Sequence, residues 1–294
     1  MRGGVFITCS VTGTDPGNPY CPRTPKEIAV AAIAAAQAGA AMVRIRVVEG
    51  TAVSTDTALY REVVRLIRES NVDVIVNIAC AAGGYISVTD DGRVDRDADK
   101  TDFVSQEARM RPVIELCKEG RYAPELATLD CNTYNHGDGN RTYVAPPDYL
   151  RKGARILQEL HIKPELAVLD TGNLWFVKQM IQEGLVPAPA LIQLGTGTAY
   201  GTPTDAGHLL AMVNALPTEC IWSSFAPDRM QMPWVAQSAL LGGHVRVGLE
   251  DNQYLSPGVY ATNAQLVANA RTLLEQMGFS LMSAAQARKY LRLN

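Results

Sequence analysis

Residues 5–9 read VFITC, and residues 24–27 read TPKE. The first stretch is an apolar run of the kind that forms a buried strand. The second supplies an N-cap threonine, a proline in the first turn and the glutamate of a capping box, ahead of an alanine-rich segment ending at Gly39. Together they predict a strand followed by a helix, which is the βα unit of parallel sheets.

The same alternation continues along the chain. Further strands are predicted at 42–48, 74–79, 126–129, 166–169, 190–194, 220–225 and 245–249. Helices are predicted at 56–70, 102–118, 148–161, 173–183, 204–214, 228–241 and 263–277, with a charged loop at 89–100 and a short extra C-terminal helix at 283–291. Eight strand-then-helix units with near-continuous apolar strands predict an α/β protein, a single-domain (β/α)8 TIM barrel over residues 1–294.

A Rossmann-like open sheet is the alternative architecture. That fold requires a GxGxxG pattern after a strand, and the chain offers only the fragment Gly195-Thr196-Gly197, which is typical of a βα turn. The barrel is therefore favoured. In a barrel the active site lies at the C-terminal ends of the strands, so polar residues there are the candidates for function.

Composition limits the classes of partner. The formal net charge is −3 over 294 residues, which gives no broad basic surface for nucleic acid or an anionic membrane. No apolar run approaches membrane-spanning length, and the N-terminus lacks the apolar region of a signal peptide. We expect a cytoplasmic protein with a small-molecule ligand.

The six cysteines carry no CxxC spacing, so reduced thiols are expected. Cys9, Cys80 and Cys131 follow apolar strand-like runs, where a barrel places pocket residues. Burial as small apolar side chains is favoured for them over a chemical role.

The second and eighth predicted strands carry charges in apolar surroundings. Residues 42–48 read MVRIRVV, and strand alternation places Arg44 and Arg46 on one face. Residues 244–251 read HVRVGLED, in which Arg246, Gly248 and Glu250 share a face and Asp251 follows. Because the first strand of a closed barrel neighbours both, these charges are predicted to meet in one pocket. Each charge alone is also explained by a salt bridge, whereas their convergence favours function.

Loops after other strands add weaker candidates. Asp15 follows the first strand, and Asn135 and His136 follow the fourth. A loop histidine is a candidate general base, although most are solvated or structural. Gly83 and Gly84 after the third strand permit close approach of a ligand to the backbone, as ordinary turn glycines also do.

At these residues the sequence resembles the β-keto acid cleavage enzymes, the family that includes 3-keto-5-aminohexanoate cleavage enzyme. The resemblance covers nearly the whole chain and rests on residues 7–13, 18–19, 24–28, 133–135, 229–233 and 242–251. It implies a retro-Claisen type reaction in which a β-keto acid and acetyl-CoA yield acetoacetate and a new acyl-CoA, in a homotetrameric zinc barrel.

The resemblance also assigns residue roles. It implies zinc held by an HxH on the second strand and by the glutamate matching Glu250. Arg246 and Asp251 match a catalytic arginine and aspartate, Thr133 matches a substrate-binding threonine, and Asp15 stands where an acidic residue contacts substrate.

Three departures set this chain apart. Arg44 and Arg46 occupy the HxH, and a guanidinium cannot ligate zinc. Alanines 81 and 82 precede the paired glycines where a serine is expected, and the fifth strand has alanine where many relatives have a second glutamate. No zinc and no resident cofactor are therefore expected, and the acyl-transfer mechanism is in doubt.

Three hypotheses remain from the sequence. The first is metal-free carbon–carbon cleavage of an anionic β-keto or related oxo acid, with Asp251 as general base, Arg246 and Glu250 aligning the site, and Arg44 and Arg46 binding the anion. The second keeps acetyl-CoA as co-substrate, with the arginines binding a dicarboxylic substrate or CoA phosphates. The third is a non-catalytic barrel whose former metal site is sealed by arginine–glutamate pairs.

Overall fold

Eight parallel strands close into a barrel, as predicted, in a computed structural model that describes residues 4–13, 17–50, 52–97 and 101–293. The strands are β1 Ile7–Ser10, β2 Met42–Ile45, β3 Ile75–Ala79, β4 Leu126–Asp130, β5 Lys163–Val168, β6 Ala190–Gly195, β7 Cys220–Phe225 and β8 His244–Val247. Strand β1 pairs with β8 on one side and β2 on the other. The segments that carry the predicted charges are thus neighbours.

Helices pack around the barrel and bury apolar residues against the outer faces of the strands. They are α1 Pro25–Ala38, α2 Thr57–Glu69, α3 Gln106–Arg109, α4 Arg111–Glu119, α5 Pro147–Glu159, α6 Thr171–Gln182, α7 Ala206–Asn214, α8 Gln231–Leu240, α9 Asn263–Gln276 and α10 Ala284–Leu291. The predicted capping box is present, because the Thr24 side chain accepts from Glu27 N at 3.3 Å and the Glu27 carboxylate accepts from Thr24 N at 3.0 Å. The extra C-terminal helix is also observed, as α10.

The helix predicted at 102–118 is wrong in its start and its continuity. It begins at Gln106, where the Ser105 hydroxyl caps the backbone N–H of Ala108 at 3.3 Å, and it breaks at Met110 into α3 and α4. Pro112 supplies the physical reason, because it has no N–H to donate to the preceding turn.

The loop predicted at 89–100 is wrong in part, because it contains a strand. Four short strands form an antiparallel sheet in the order Val94–Asp95, Tyr85–Val88, Arg141–Tyr143 and Tyr134–Asn135. We call these four strands the mouth sheet, since residues from it line the cavity at the C-terminal ends of the barrel strands. Their short length explains why periodicity in the sequence did not reveal them.

No helix in the described part of the chain is long and apolar enough to cross a membrane. The longest, α1 and α9, have 14 residues each. A transmembrane helix needs about 20 apolar residues.

Candidate active site

Arg44 lies on the inner face of β2 and is almost fully buried, with 2% of its side chain exposed. Its Nη1 donates to both carboxylate oxygens of Glu250, at 2.7 and 2.6 Å, and its Nε donates to Thr128 Oγ1 at 3.3 Å. Its Nη2 lies 3.9 Å from Asp130. The predicted meeting of charges from the second and eighth strands is therefore observed.

Arg46 lies beyond the end of β2, because the strand stops at Ile45 rather than at residue 48 as predicted. Its Nη2 lies 3.0 Å from Glu250 Oε1. Its Nε is buried and has no hydrogen-bond partner. Arg46 thus contacts Glu250 through one terminal nitrogen of its guanidinium, and 17% of its side chain is exposed.

Glu250 and Asp251 are placed by a turn, not by continuation of β8. The prediction that Glu250 shares a strand face with Arg246 is wrong in this respect, since β8 ends at Val247. Gly248 has a φ of +135°, and a Cβ there would lie 2.2 Å from the Ser10 carbonyl oxygen. Only glycine tolerates this conformation and this close approach. The turn brings the Glu250 carboxylate to Arg44 and the Asp251 carboxylate to Arg246.

Arg246 binds both acids. Its Nε and Nη2 donate to the two oxygens of Asp251 at 2.8 and 2.7 Å, and Nη2 lies 3.0 Å from Glu250 Oε1. Its Nη1 donates to Gln193 Oε1 at 2.5 Å, and its guanidinium carbon stacks 4.0 Å from the centre of the Phe225 ring. All three guanidinium nitrogens are engaged, so Arg246 holds a fixed orientation.

The two carboxyl groups have opposite pKa shifts. Burial disfavours the charged form of Glu250, but the attraction of Arg44, Arg46 and Arg246 outweighs it and holds the pKa well below its usual range. Burial raises the pKa of Asp251, and the negative charge of Glu250 adds to that effect despite the bond to Arg246. Glu250 is therefore a fixed anion, whereas Asp251 is the stronger base of the two.

A buried polar layer supports these groups from below. Glu165 Oε2 accepts from Asn77 Nδ2 at 2.8 Å and from Thr128 Oγ1 at 2.7 Å, and its Oε1 lies 3.3 Å from Gln193 Nε2. Through Thr128 and Gln193 this layer reaches Arg44 and Arg246. We did not predict it, although polar residues at inward positions of apolar strands were the available signal.

A cavity of about 670 Å³ opens above the charged cluster. Predicted site residues that line it are Arg44, Arg46, Gly83, His136, Arg246, Glu250 and Asp251. Three others lie outside its lining. Gly84 packs against the Tyr143 ring, Thr133 is exposed and accepts from Ala145 N at 3.0 Å, and Asn135 is exposed. Asp15 lies outside the described residues.

The mouth sheet adds residues that sequence reasoning missed. Tyr85 and Arg141 line the cavity, and the Arg141 guanidinium stacks on the Tyr85 ring with 4.2 Å from its carbon to the ring centre. His136 meets the same ring edge-on at 4.8 Å between centroids. Burial lowers the pKa of His136, and the positive charge of Arg141 adds to the effect. His136 is thus predominantly neutral at pH 7.

The cysteines are free, as predicted. Cys9, Cys80 and Cys131 are buried, and burial raises the thiol pKa of all three, to about 12 for Cys80. A thiol with so high a pKa is a poor nucleophile, which agrees with packing as their role.

The residues present do not fit zinc. The oxygens of Glu250 are already bound by three guanidinium groups, and His136 is the only histidine among the described residues that line the cavity. Within the described ranges, no cluster of three histidine, cysteine or acidic side chains has the spacing of a metal site. A divalent cation here would face three positive charges with too few donors.

Comparison with known proteins gives a family and a fold. The family described as beta-keto acid cleavage enzyme matches residues 4–293. The chain is 40% identical to 3-dehydrocarnitine:acetyl-CoA trimethylamine transferase of Rhizobium meliloti (strain 1021), over 100% of this chain and 98% of that protein. It is 29% identical to 3-keto-5-aminohexanoate cleavage enzyme of Fusobacterium nucleatum subsp. nucleatum, over 100% and 99%. In fold it is similar to ObcA bound to oxaloacetate, with a TM-score of 0.77 at 19% identity over 94% of this chain and 68% of ObcA.

Proposed function

The chain belongs to the beta-keto acid cleavage enzyme family, and we propose that it cleaves a carbon–carbon bond of an anionic β-keto acid with guanidinium groups in the place of a metal ion. The observation that carries this proposal is the state of Arg46. Its Nη2 contacts Glu250, and its buried Nε has no hydrogen-bond partner. The Arg46 side chain also lines the open cavity. A positioned and partly unused guanidinium is suited to binding a carboxylate or a developing enolate oxygen.

The net charge of the cluster supports the replacement of a metal ion by arginines. Arg44, Arg46 and Glu250 sum to one positive charge, since two cations meet one anion. A divalent cation with two neutral imidazoles and one carboxylate also sums to one positive charge. Stabilisation of an enolate depends on fixed positive charge in a site with little water, and this cluster supplies it without a metal.

The chemical step assigned to this chain's residues is proton transfer by Asp251. In the hydrolytic form of the reaction Asp251 takes a proton from water, and the hydroxide adds to the keto carbon. The bond between that carbon and the α-carbon then breaks, and the electron pair forms an enolate that Arg46 stabilises. Asp251 returns the proton to the α-carbon, so two carboxylic acids result. Both oxygens of Asp251 bind Arg246 but keep a further lone pair each.

Acetyl-CoA as co-substrate is the second candidate function. It is favoured by the names of relatives, among them the acetyl-CoA trimethylamine transferase at 40% identity. Product analysis with and without acetyl-CoA separates the two candidates. Two free carboxylic acids formed without CoA support hydrolysis, whereas acetoacetate and a new acyl-CoA formed only with acetyl-CoA support the transfer.

The sealed, non-catalytic barrel considered from the sequence has less support. Arg44 does pair with Glu250, but the cavity above the pair is large enough for a small ligand. The homotetramer implied by the resemblance stays a prediction.

We predict that small carboxylates raise the melting temperature of the protein. An anion that binds the native state and is present at a concentration of about 100 times its Kd adds roughly 2.7 kcal/mol to the free energy of unfolding. For a chain of this size that raises the melting temperature by several degrees. Malonate, acetoacetate and sulfate are the probes, and thermal unfolding is the measurement. Arg46→Met should reduce the shift. An unchanged melting temperature with all three anions in the unmutated protein would remove the anion site.

A further inference from the structure

Arg141 has no matching anion among the described residues that line the cavity. It lies on the Arg141–Tyr143 strand of the mouth sheet, and its guanidinium carbon lies over the Tyr85 ring, 4.2 Å from the ring centre. Its Nε is buried without a hydrogen-bond partner. Among the described residues, no carboxylate lies within 4.0 Å of its guanidinium. Buried or half-buried guanidinium groups are costly to leave unpaired, so this one is prepared for an anion.

The acidic side chains around the cavity contact groups other than Arg141. Asp102 accepts from the backbone N–H of Tyr85 at 2.7 Å. Asp130 faces Arg44 at 3.9 Å, and Glu250 and Asp251 bind the three arginines of the cluster described above. His136, which carries no charge in its predominant form at pH 7, also lies beside Arg141, whose backbone carbonyl accepts from His136 N at 2.9 Å.

We propose that Arg141 binds a second carboxylate of the substrate, so that the enzyme acts on dicarboxylic β-keto acids. This inference rests on the proposed cleavage function, in which Arg46 and Asp251 serve the β-keto acid end. Arg141 and Arg46 line one cavity of about 670 Å³, so both guanidinium groups are open to the same bound ligand. The flat guanidinium, fixed by stacking, suits a carboxylate that accepts two hydrogen bonds.

A carboxylate fits this position better than a CoA phosphate. The phosphates of CoA are separated from its thioester by the long pantetheine arm. A thioester placed at Asp251 would therefore carry its phosphates beyond the cavity that Arg141 lines.

A matched pair of substrates tests the inference. 3-Oxoadipate and 3-oxohexanoate have six carbons each and differ in the group at the end, carboxylate against methyl. We expect kcat/KM for 3-oxoadipate to exceed that for 3-oxohexanoate by roughly 10-fold to 100-fold, the range for a charge-assisted hydrogen bond. Arg141→Met should remove this preference by lowering only the 3-oxoadipate value, and Arg141→Lys should restore part of it.

Arg93→Met is the matched control. Arg93 follows the Tyr85–Val88 strand of the mouth sheet, is 83% exposed and pairs with Asp91, so its loss changes the net charge equally without touching the cavity lining. The preference should survive in that variant. An equal preference in wild type and Arg141→Met would overturn the inference.

Binding measurements with unreactive acids distinguish failure of this inference from failure of the proposed function. Adipate and hexanoate repeat the comparison without a reaction, with Kd measured by calorimetry. If neither β-keto acid is cleaved, the proposed function fails, yet tighter adipate binding that Arg141→Met abolishes still supports the dicarboxylate site. If both acids bind equally while 3-oxohexanoate is cleaved, the dicarboxylate site fails and the cleavage function stands.

Discussion

An Asp251→Asn variant is expected to lose between about 10²-fold and 10⁴-fold in kcat, the range for a positioned general acid or base. An amide of nearly the same shape keeps the volume and can accept one of the two hydrogen bonds from Arg246, but it cannot take a proton. Fold and anion binding should therefore persist, which circular dichroism and the malonate-induced shift in melting temperature would show. Because burial raises the pKa of Asp251, the acid limb of the pH–rate profile should lie above the ordinary value of 3.8.

The direction of that limb follows from the role of the residue. A base works only when deprotonated, so the rate should rise with pH through the pKa of Asp251 and the variant should lack this rise. If kcat is unaltered in Asp251→Asn, Asp251 is not the base, and His136 becomes the next candidate because it lines the same cavity.

Glu250→Gln is expected to lower the free energy of unfolding by about 3–5 kcal/mol, because it leaves buried guanidinium groups without their shared anion. Arg44 and Arg246 are almost fully buried and both contact this carboxylate. Urea unfolding at pH 7 measures the loss. Substrate binding should also weaken more than the chemical step, since Glu250 orients Arg44 and Arg46 and moves no proton.

The control for this stability loss is Glu183→Gln. Glu183 also binds an arginine through both oxygens, at 2.8 Å each to Arg151, but on the surface, where such a pair contributes about 1 kcal/mol or less. The pH dependence gives a second check. The pKa of Glu250 is lowered on folding, so its stabilisation is present above the ordinary value of 4.5 and declines as the pH falls below it. Equal stability of wild type and Glu250→Gln at pH 7 would contradict the account.

The fold could be predicted because its signals are local and repeated. Each βα unit carries its own apolar strand and helix start, as Thr24 and Glu27 show, and eight such units leave little choice of architecture. The helix break at Met110 was missed, although Pro112, which lies well inside the helix predicted at 102–118, was the signal in the sequence for it.

The charged cluster was predictable for a different reason. Barrel closure makes β1 the neighbour of both β2 and β8, so charges 206 positions apart, those of Arg44 and Glu250, had to meet. The turn at Gly248 was not foreseen, because alternation along a strand gives no sign of where the strand stops.

The mouth sheet shows what sequence alone does not supply. Its strands have two to four residues, which is too short for a periodic pattern. The stacking of Arg141 on Tyr85 joins residues far apart in the chain through that sheet. The sequence therefore offers no reason to distinguish Arg141 from other arginines. The pairing of the strands of the mouth sheet identifies it as a residue of the cavity.

Arg44 and Arg46 are proposed to supply the positive charge that a metal ion would otherwise provide. Turnover by metal-depleted protein tests this most directly. Protein dialysed exhaustively against a chelator is analysed for zinc and assayed for cleavage of 3-oxoadipate, with added zinc in a parallel sample. The account predicts no stoichiometric zinc before or after dialysis, undiminished kcat/KM in the depleted protein and no gain on zinc addition, because the ligand set at the mouth of β2 is cationic. One tightly held zinc per chain, with activity lost on its removal and restored by its return, would contradict it.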